Sequence, residues 1–236
     1  MFSNLSRCYL MNKNPELFYA WTRRRFFGTL AATTAIPLIP ASLFAEDLAA
    51  MPYMTEGPFY PDNLPLDTDN DLLIINDAAK PGLGTVAYLT GRVLDVKGNP
   101  IKNATVEIWQ CDANGVYNHS LDSGRKPEKQ DKNFQGFGRT LTTVDGAYNF
   151  RTIRPVRYPG RTPHIHVKVW KGGKDVLTSQ ILVAEEKEAN ARDGLARRLG
   201  DKADLVTAAF KKLPDSKIGS THANFDIVLG KTPSDK

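Results

Sequence analysis

From Val86 to Gly172 the chain breaks into short apolar, β-branched runs separated by turn-forming residues, and this rhythm limits the fold more than any other feature. Runs such as "TVAYLTGRVLDV", "ATVEIWQ" and "IHVKVW" are rich in Val, Ile, Thr and aromatic residues, as strands are. Lys97-Gly98-Asn99-Pro100 and Ala113-Asn114-Gly115 are turn chemistry, and Asp145-Gly146 between "LTTV" and "AYNF" is a strong hairpin signal. Strand spacing of this kind predicts an all-β domain folded as an antiparallel β-sandwich, with "DVLTSQILVA" and the terminal "NFDIVLG" adding strands. Between those two, Glu185 to Leu213 is rich in Ala, Lys, Glu and Arg, which predicts one or two short helices broken near Gly200. Residues 46–84 are dense in Pro, Asp and Asn and predict an ordered but irregular N-terminal arm, ahead of a domain over residues 85–236.

The first 45 residues have a different character. "TRRRFFGTLAATTAIPLIPASLFA" sets a basic cluster before a moderately apolar run that ends in small residues, which is the pattern of an export signal. Thr22 to Phe27 match the twin-arginine signature, so export by that route to the periplasm or medium is expected, with removal after Ala45. Pro37 and Pro40 interrupt the apolar run, so a membrane-spanning helix is not expected there. This segment carries five basic residues and one acidic residue of the chain's 31 and 26, so the mature chain is nearly neutral. A neutral chain gives no support to a nucleic-acid or anionic-membrane partner. Cys8 lies in the leader and Cys111 is then alone, which excludes an intrachain disulfide in the mature protein.

The stretch "YPGRTPHIH", residues 158–166, concentrates the chemistry. A strand alternates its faces, so His164 and His166 point the same way and can share one metal, with Ile165 facing oppositely. Zinc is the first candidate for such a pair, but its further ligands are missing. Cys111 stands alone, no His-Glu-x-x-His helix is present, and no glutamate follows "HIHVKVWKGG" before Glu185. His119 and His222 each stand in a polar, turn-like stretch and are expected to be solvated. Tyr158 and Tyr117, the latter closing the turn "DANGVY", change the balance: a phenolate is a hard anionic donor, and with two imidazoles it suits ferric iron. Two phenolates and a hydroxide also cancel the three charges of Fe(III). Arg161 lies three residues before His164, where a guanidinium can stabilise negative charge developing on a substrate.

These residues sit in a string, "F-x-G-x-G-R-x-x-T … D-G-x-Y-x-F-x-T-I-x-P … Y-P … R-x-P-H-I-H", that resembles the intradiol ring-cleavage dioxygenases. Within that family the chain is more similar to the protocatechuate 3,4-dioxygenase-like branch than to the catechol 1,2-dioxygenases, whose N-terminal helical domain it lacks. The similarity runs from "TEGPFYP" to "FDIVL". The resemblance implies non-haem Fe(III) held by Tyr117, Tyr158, His164 and His166, with Tyr158 and His166 axial. It also implies an active-site arginine at Arg161 with Gln180 beside it. Phe59, Tyr60, Phe137 and Gly160 are expected to line the substrate pocket. Only five residues separate Tyr158 from His164, and Gly160 stands where the branch often has tryptophan, so the departures lie beside the substrate.

The implied reaction splits a catechol-type ring between its two hydroxylated carbons with O2, giving a cis,cis-muconate-type diacid without organic cofactor or reductant. Tyr158 takes a substrate proton and Arg161 stabilises carbanion character on the ring. Relatives assemble from related chains, so a homo- or hetero-oligomer is also implied. The alternative reading is an exported, non-catalytic transthyretin-like binding module, which the strand pattern fits equally and the four donors do not.

Overall fold

The computed structural model describes residues 46–65 and 67–231; the expected export signal lies outside them. Among the described residues, ten strands form two five-stranded sheets. They are β1 (Val86–Asp95), β2 (Thr105–Trp109), β3 (Phe137–Leu141), β4 (Ala147–Ile153), β5 (His164–Lys171), β6 (Lys174–Val183), β7 (Thr207–Ala208), β8 (Lys211–Lys212), β9 (Thr221–Asn224) and β10 (Ile227–Leu229). One sheet is centred on β1, which pairs with β4, β9 and β10, while β8 pairs with β9. The other runs β3-β2-β5-β6-β7. The alternation anticipated for "HIHVKVW" holds: Ile165, Val167 and Val169 are fully buried in a core cluster that also holds Leu89, Phe150 and Ile227 from the first sheet.

One expectation needs correcting. Both sheets are mixed, not antiparallel throughout. β1 runs parallel to β9 and β10, and β6 runs parallel to β7. These strands return through long connections instead of hairpins, which is the connection that parallel neighbours require. The one or two short helices expected between Glu185 and Leu213 are present and end ahead of Gly200, while the end of that segment leaves helix. The segment contains α1 (Lys187–Arg192), α2 (Gly194–Arg197) and a 3-10 turn over Gly200–Val206, and then gives way to β7 and β8. Its composition favours helix, but Val206 and Ala208 are buried against the second sheet, and tertiary packing overrides so weak a preference.

The chain crosses closely beside β1. β9 ends at Asn224 and β10 begins at Ile227, and the link between them presses the Phe225 carbonyl against Gly91. A Cβ at Gly91 would lie 1.8 Å from that oxygen, a contact no side chain can make. Gly91→Ala is therefore expected to destabilise the fold by roughly 3 kcal/mol or more, because backbone must move. Gly173→Ala, where a Cβ meets nothing within 4 Å but φ is +73°, is expected to cost only about 1 kcal/mol. Chemical denaturation of the two variants measures the contrast.

Residues 46–84 contain no named strand or helix; Met51 and Asp71–Leu72 bond to strands of the first sheet, and the stretch from Met54 to Tyr60 lies against the second. Met54 N donates to the Thr178 carbonyl at 3.0 Å, and Glu56 pairs with Lys168 of β5. Lys168 Nζ also sits 4.4 Å from the centre of the Tyr60 ring. This cover explains why the outward residues His164, His166 and Lys168 of β5 are buried although they face away from the core between the sheets.

Candidate metal centre and active site

The outer face of the second sheet supplies a row of side chains fixed by register. Trp109 of β2 stands opposite both Phe137 of β3 and His166 of β5, and His166 stands opposite Gln180 of β6. Directly opposed residues on one face are close enough to touch. The His166 ring stacks on Trp109 with centroids 4.7 Å apart and planes 10° apart. His164, two residues earlier, shares the face, and the two Nε2 atoms lie 3.1 Å from each other.

Two turns bring in the tyrosines. Asp112 Oδ1 accepts from the backbone N–H groups of Asn114 and Val116, each at 2.9 Å, and so closes the turn ahead of Tyr117. Asp122 Oδ2 then accepts from Tyr117 N. The second turn is Tyr158-Pro159-Gly160-Arg161, closed by Arg161 N donating to the Tyr158 carbonyl at 3.1 Å. Proline at its second position and Gly160 at φ +82° in its third are what a type II turn demands. First and fourth residues of such a turn are neighbours, so the spacing "YPGR" sets Arg161 beside Tyr158. Arg161 Nη1 lies 3.4 Å from the Tyr158 hydroxyl and 3.5 Å from His164 Nε2, and Tyr117 Oη lies 3.5 Å from His164 Nε2.

The structure thus brings Tyr117, Tyr158, Arg161, His164, His166 and Gln180 together. Phe59 stacks on Tyr117 at 4.8 Å and meets Tyr158 edge-on at 6.2 Å, forming a wall over the tyrosines. Tyr60 and Phe137 stand further back: Tyr60 lies edge-on to Trp109 and Phe137, and its hydroxyl turns away to donate to Glu107 at 2.9 Å. Gly160 is exposed at the corner of its turn, with nothing within 4 Å of a Cβ built there. His119 and His222 stay outside the cluster. His119 is buried, not solvated: its Nδ1 accepts from Leu121 N and its ring meets Phe59 edge-on. His222 lies on β9 rather than in a turn and bonds Thr90 Oγ1 at 2.8 Å.

Electrostatics favour a cation among these donors. The His164 pKa is pulled down to about 4 by burial first and the Arg161 charge second, and that of His166 falls well below its ordinary value for the same reason of burial, with His164 and Arg161 adding to it. Both rings are neutral at pH 7. His164 Nδ1 lies 2.6 Å from the Thr162 carbonyl, and only an N–H can bond there, so His164 Nε2 carries a bare lone pair toward His166. Nδ1 of His166 is buried with no hydrogen-bond partner. Burial raises the pKa of Tyr117 well above its ordinary value and that of Tyr158 less, Arg161 opposing the rise at both. Protein surroundings alone therefore keep the phenols protonated, and a bound cation inverts that preference. Among the described residues no group of three or more His, Cys, Asp or Glu could hold a metal. The two oxygens and two nitrogens fit a hard, highly charged ion, and a zinc set of thiolate, imidazole and carboxylate is not offered.

Neutral buried histidines also set a pH dependence. The unfolded state protonates them near pH 6.5 and the folded state resists until about pH 4 for His164, so the unfolded state binds more protons in that window. The stability present above pH 6.5 is lost as pH falls. Metal-free protein is expected to lose on the order of 3 kcal/mol from His164 alone between pH 6.5 and 4, measured by denaturant titration across that range.

Sequence reasoning overlooked Asp193 and Trp109. The Asp193 side chain is fully buried, and its Oδ2 accepts from Arg161 Nε at 2.8 Å. Burial alone would raise its carboxyl, but backbone donors from Ala196 and Thr162 and the Arg161 guanidinium outweigh burial and hold it below the ordinary range. Its position ahead of "GLAR" is a helix N-cap signal, whereas nothing in the sequence links it to Arg161.

A family model described as dioxygenase matches residues 55–231. The protocatechuate 3,4-dioxygenase beta chain of Burkholderia cepacia is 39% identical over 143 residues, covering 57% of this chain and 56% of that one. The catechol 1,2-dioxygenase of Acinetobacter baylyi is 31% identical over 185 residues, covering 69% of this chain and 57% of that one. The chain thus spans less than two thirds of either relative's length. Among solved structures, the dioxygenase domain of a dioxygenase carbohydrate-binding protein fusion from Streptomyces sp. SirexAA-E superposes with a TM-score of 0.59 at 26% identity, over 78% of this chain and all of that one. The match over residues 55–231 takes in every strand of both sheets, and the chain belongs to the intradiol ring-cleavage dioxygenase family.

Proposed function

We propose that this protein is a non-haem Fe(III) dioxygenase that cleaves a catechol-type ring between its hydroxylated carbons, on a transthyretin-like sandwich of the protocatechuate 3,4-dioxygenase-like branch. One observation carries the reading: His164 Nε2 lies within 3.5 Å of His166 Nε2, Tyr117 Oη and Arg161 Nη1, with the Tyr158 hydroxyl 3.4 Å from the same guanidinium. Tyr117, Tyr158, His164 and His166 would hold the iron. Ferric iron supplies, when bound, the Lewis acidity that favours a catecholate dianion and its reaction with O2.

The chain's own residues do the rest. Tyr117, His164 and His166 are each 2% exposed, whereas Tyr158 is only half-buried, so substrate approaches on the Tyr158 side. Tyr158 Oη, once ionised, is the base nearest that approach and takes a substrate hydroxyl proton. Arg161, only 15% exposed at its side chain and permanently charged, stabilises negative charge on the bound ring. Phe59, stacked on Tyr117, shields that ring. Each of the two new carboxyl groups takes one atom of O2 and keeps one substrate oxygen, so the reaction balances without an external reductant.

The twin-arginine pattern from Thr22 to Phe27 supports export of the enzyme from the cytoplasm. Relatives comprising alpha and beta chains support assembly with a like or related chain. The iron-loaded protein is expected to be red-brown from tyrosinate-to-iron charge transfer, with a band that moves when a catechol is added without oxygen. A panel of catechols should give one O2 consumed per ring and an acyclic diacid. A colourless protein retaining stoichiometric zinc, or a ring opened outside the two hydroxyls, overturns the reading.

A further inference from the structure

Arg161 commits one edge of its guanidinium away from the metal donors. Nε donates to Asp193 Oδ2 at 2.8 Å and Nη2 to Gln180 Oε1 at 2.6 Å, which leaves Nη1 facing Tyr158 and His164. A planar fork held at two nitrogens has its third direction fixed. Gln180 is itself anchored, its Nε2 donating to the Thr55 carbonyl at 2.9 Å.

Asp193 is anchored more firmly. Its Oδ1 accepts from Leu195 N at 2.8 Å and Ala196 N at 3.0 Å, capping α2, while Oδ2 also accepts from Thr162 N at 2.9 Å. Asn190, on the helix before it, accepts from Thr162 Oγ1 at 2.6 Å and donates to the Val183 carbonyl at 2.9 Å. The junction between α1 and α2 is thus tied both to the end of β6 and to the residue after Arg161. A cap needs only Oδ1. The second oxygen, buried and aimed at Arg161, serves the guanidinium.

We propose that Asp193 is a positioning residue of this active site, holding Arg161 by Nε so that Nη1 faces the substrate position. The inference rests on the dioxygenase reading. Asp193→Asn tests it with little change of shape: its amide oxygen still caps α2, and its NH2 then opposes the Arg161 Nε–H. Catalytic constants for O2 uptake with a catechol are compared in parent, Asp193→Asn, Arg161→Ala and the double variant. The expected result is a kcat at least tenfold lower in Asp193→Asn, a KM within threefold of the parent, and no further loss of kcat when Asp193→Asn is added to Arg161→Ala. The double variant is also expected to melt above Arg161→Ala, since it no longer buries an unpaired carboxylate. In metal-free protein, the slowly exchanging Arg161 Nε–H resonance should disappear in Asp193→Asn. Parental kcat in Asp193→Asn, or losses that multiply in the double variant, overturn the proposal. Should the parent consume no O2 with any catechol, the functional reading fails, while the Nε–H resonance still reports on the clamp.

Discussion

Alanine in place of His164 is expected to give a folded protein that retains no iron, shows no visible colour and consumes no O2. Removing a partner that merely orients a ligand costs about 10–100-fold in metal affinity, and removing a ligand costs more. His164 is central to the cluster, since its Nε2 lies within 3.5 Å of His166, Tyr117 and Arg161. Its tautomer is set by the Thr162 carbonyl at 2.6 Å, so no rotation of a neighbour restores the lost lone pair. The same variant carries a second signature. Above pH 6.5 the cavity should make it melt below the metal-free parent. As pH falls toward 4 the parent bears the cost of an unprotonated buried His164 and the variant does not, so the gap narrows. Metal analysis, absorbance and melting at pH 7.5 and 5 check all three. Retained stoichiometric iron with its colour would remove His164 from the metal set.

What could be read in the sequence follows from the range of the interactions involved. The His-x-His pair was legible because a strand's alternation is local, and Tyr158 and Arg161 because they stand within the same nine residues. Tyr117 was legible as a turn residue, but its meeting with His164 depends on β2 pairing with β5, 47 residues apart at that contact. The stacking of Trp109 on His166 is likewise a consequence of register, which is why sequence reasoning did not single Trp109 out. His119 was misread because its polar neighbours suggested solvent, whereas the arm lays Phe59 against it. The parallel return of β9 and β10 has no short-range signal. Gly91, the residue that permits the close passage of Phe225, looks in sequence like an unremarkable glycine within a strand.

Arg161→Lys is expected to lower kcat by about 100- to 1000-fold while iron and colour are retained, the loss associated with removing one fixed donor to developing negative charge. Lysine keeps the positive charge, so any explanation by charge alone predicts a small effect. Geometry predicts a large one. Arg161 makes three directed contacts from three nitrogens, to Asp193, Gln180 and the Tyr158–His164 side, and a single ammonium cannot reach all of them. Asp193 is the strongest acceptor and fully buried, so it should capture the ammonium and draw it away from the donors. Arg161→Ala should be as inactive but also less stable by about 3 kcal/mol, because it leaves that carboxylate buried without its counter-charge. Steady-state kinetics with denaturant titration separates the two variants: equal loss of turnover, unequal loss of stability. A lysine variant within threefold of parental kcat would show that charge suffices and that the fork of contacts around Arg161 has no part in turnover.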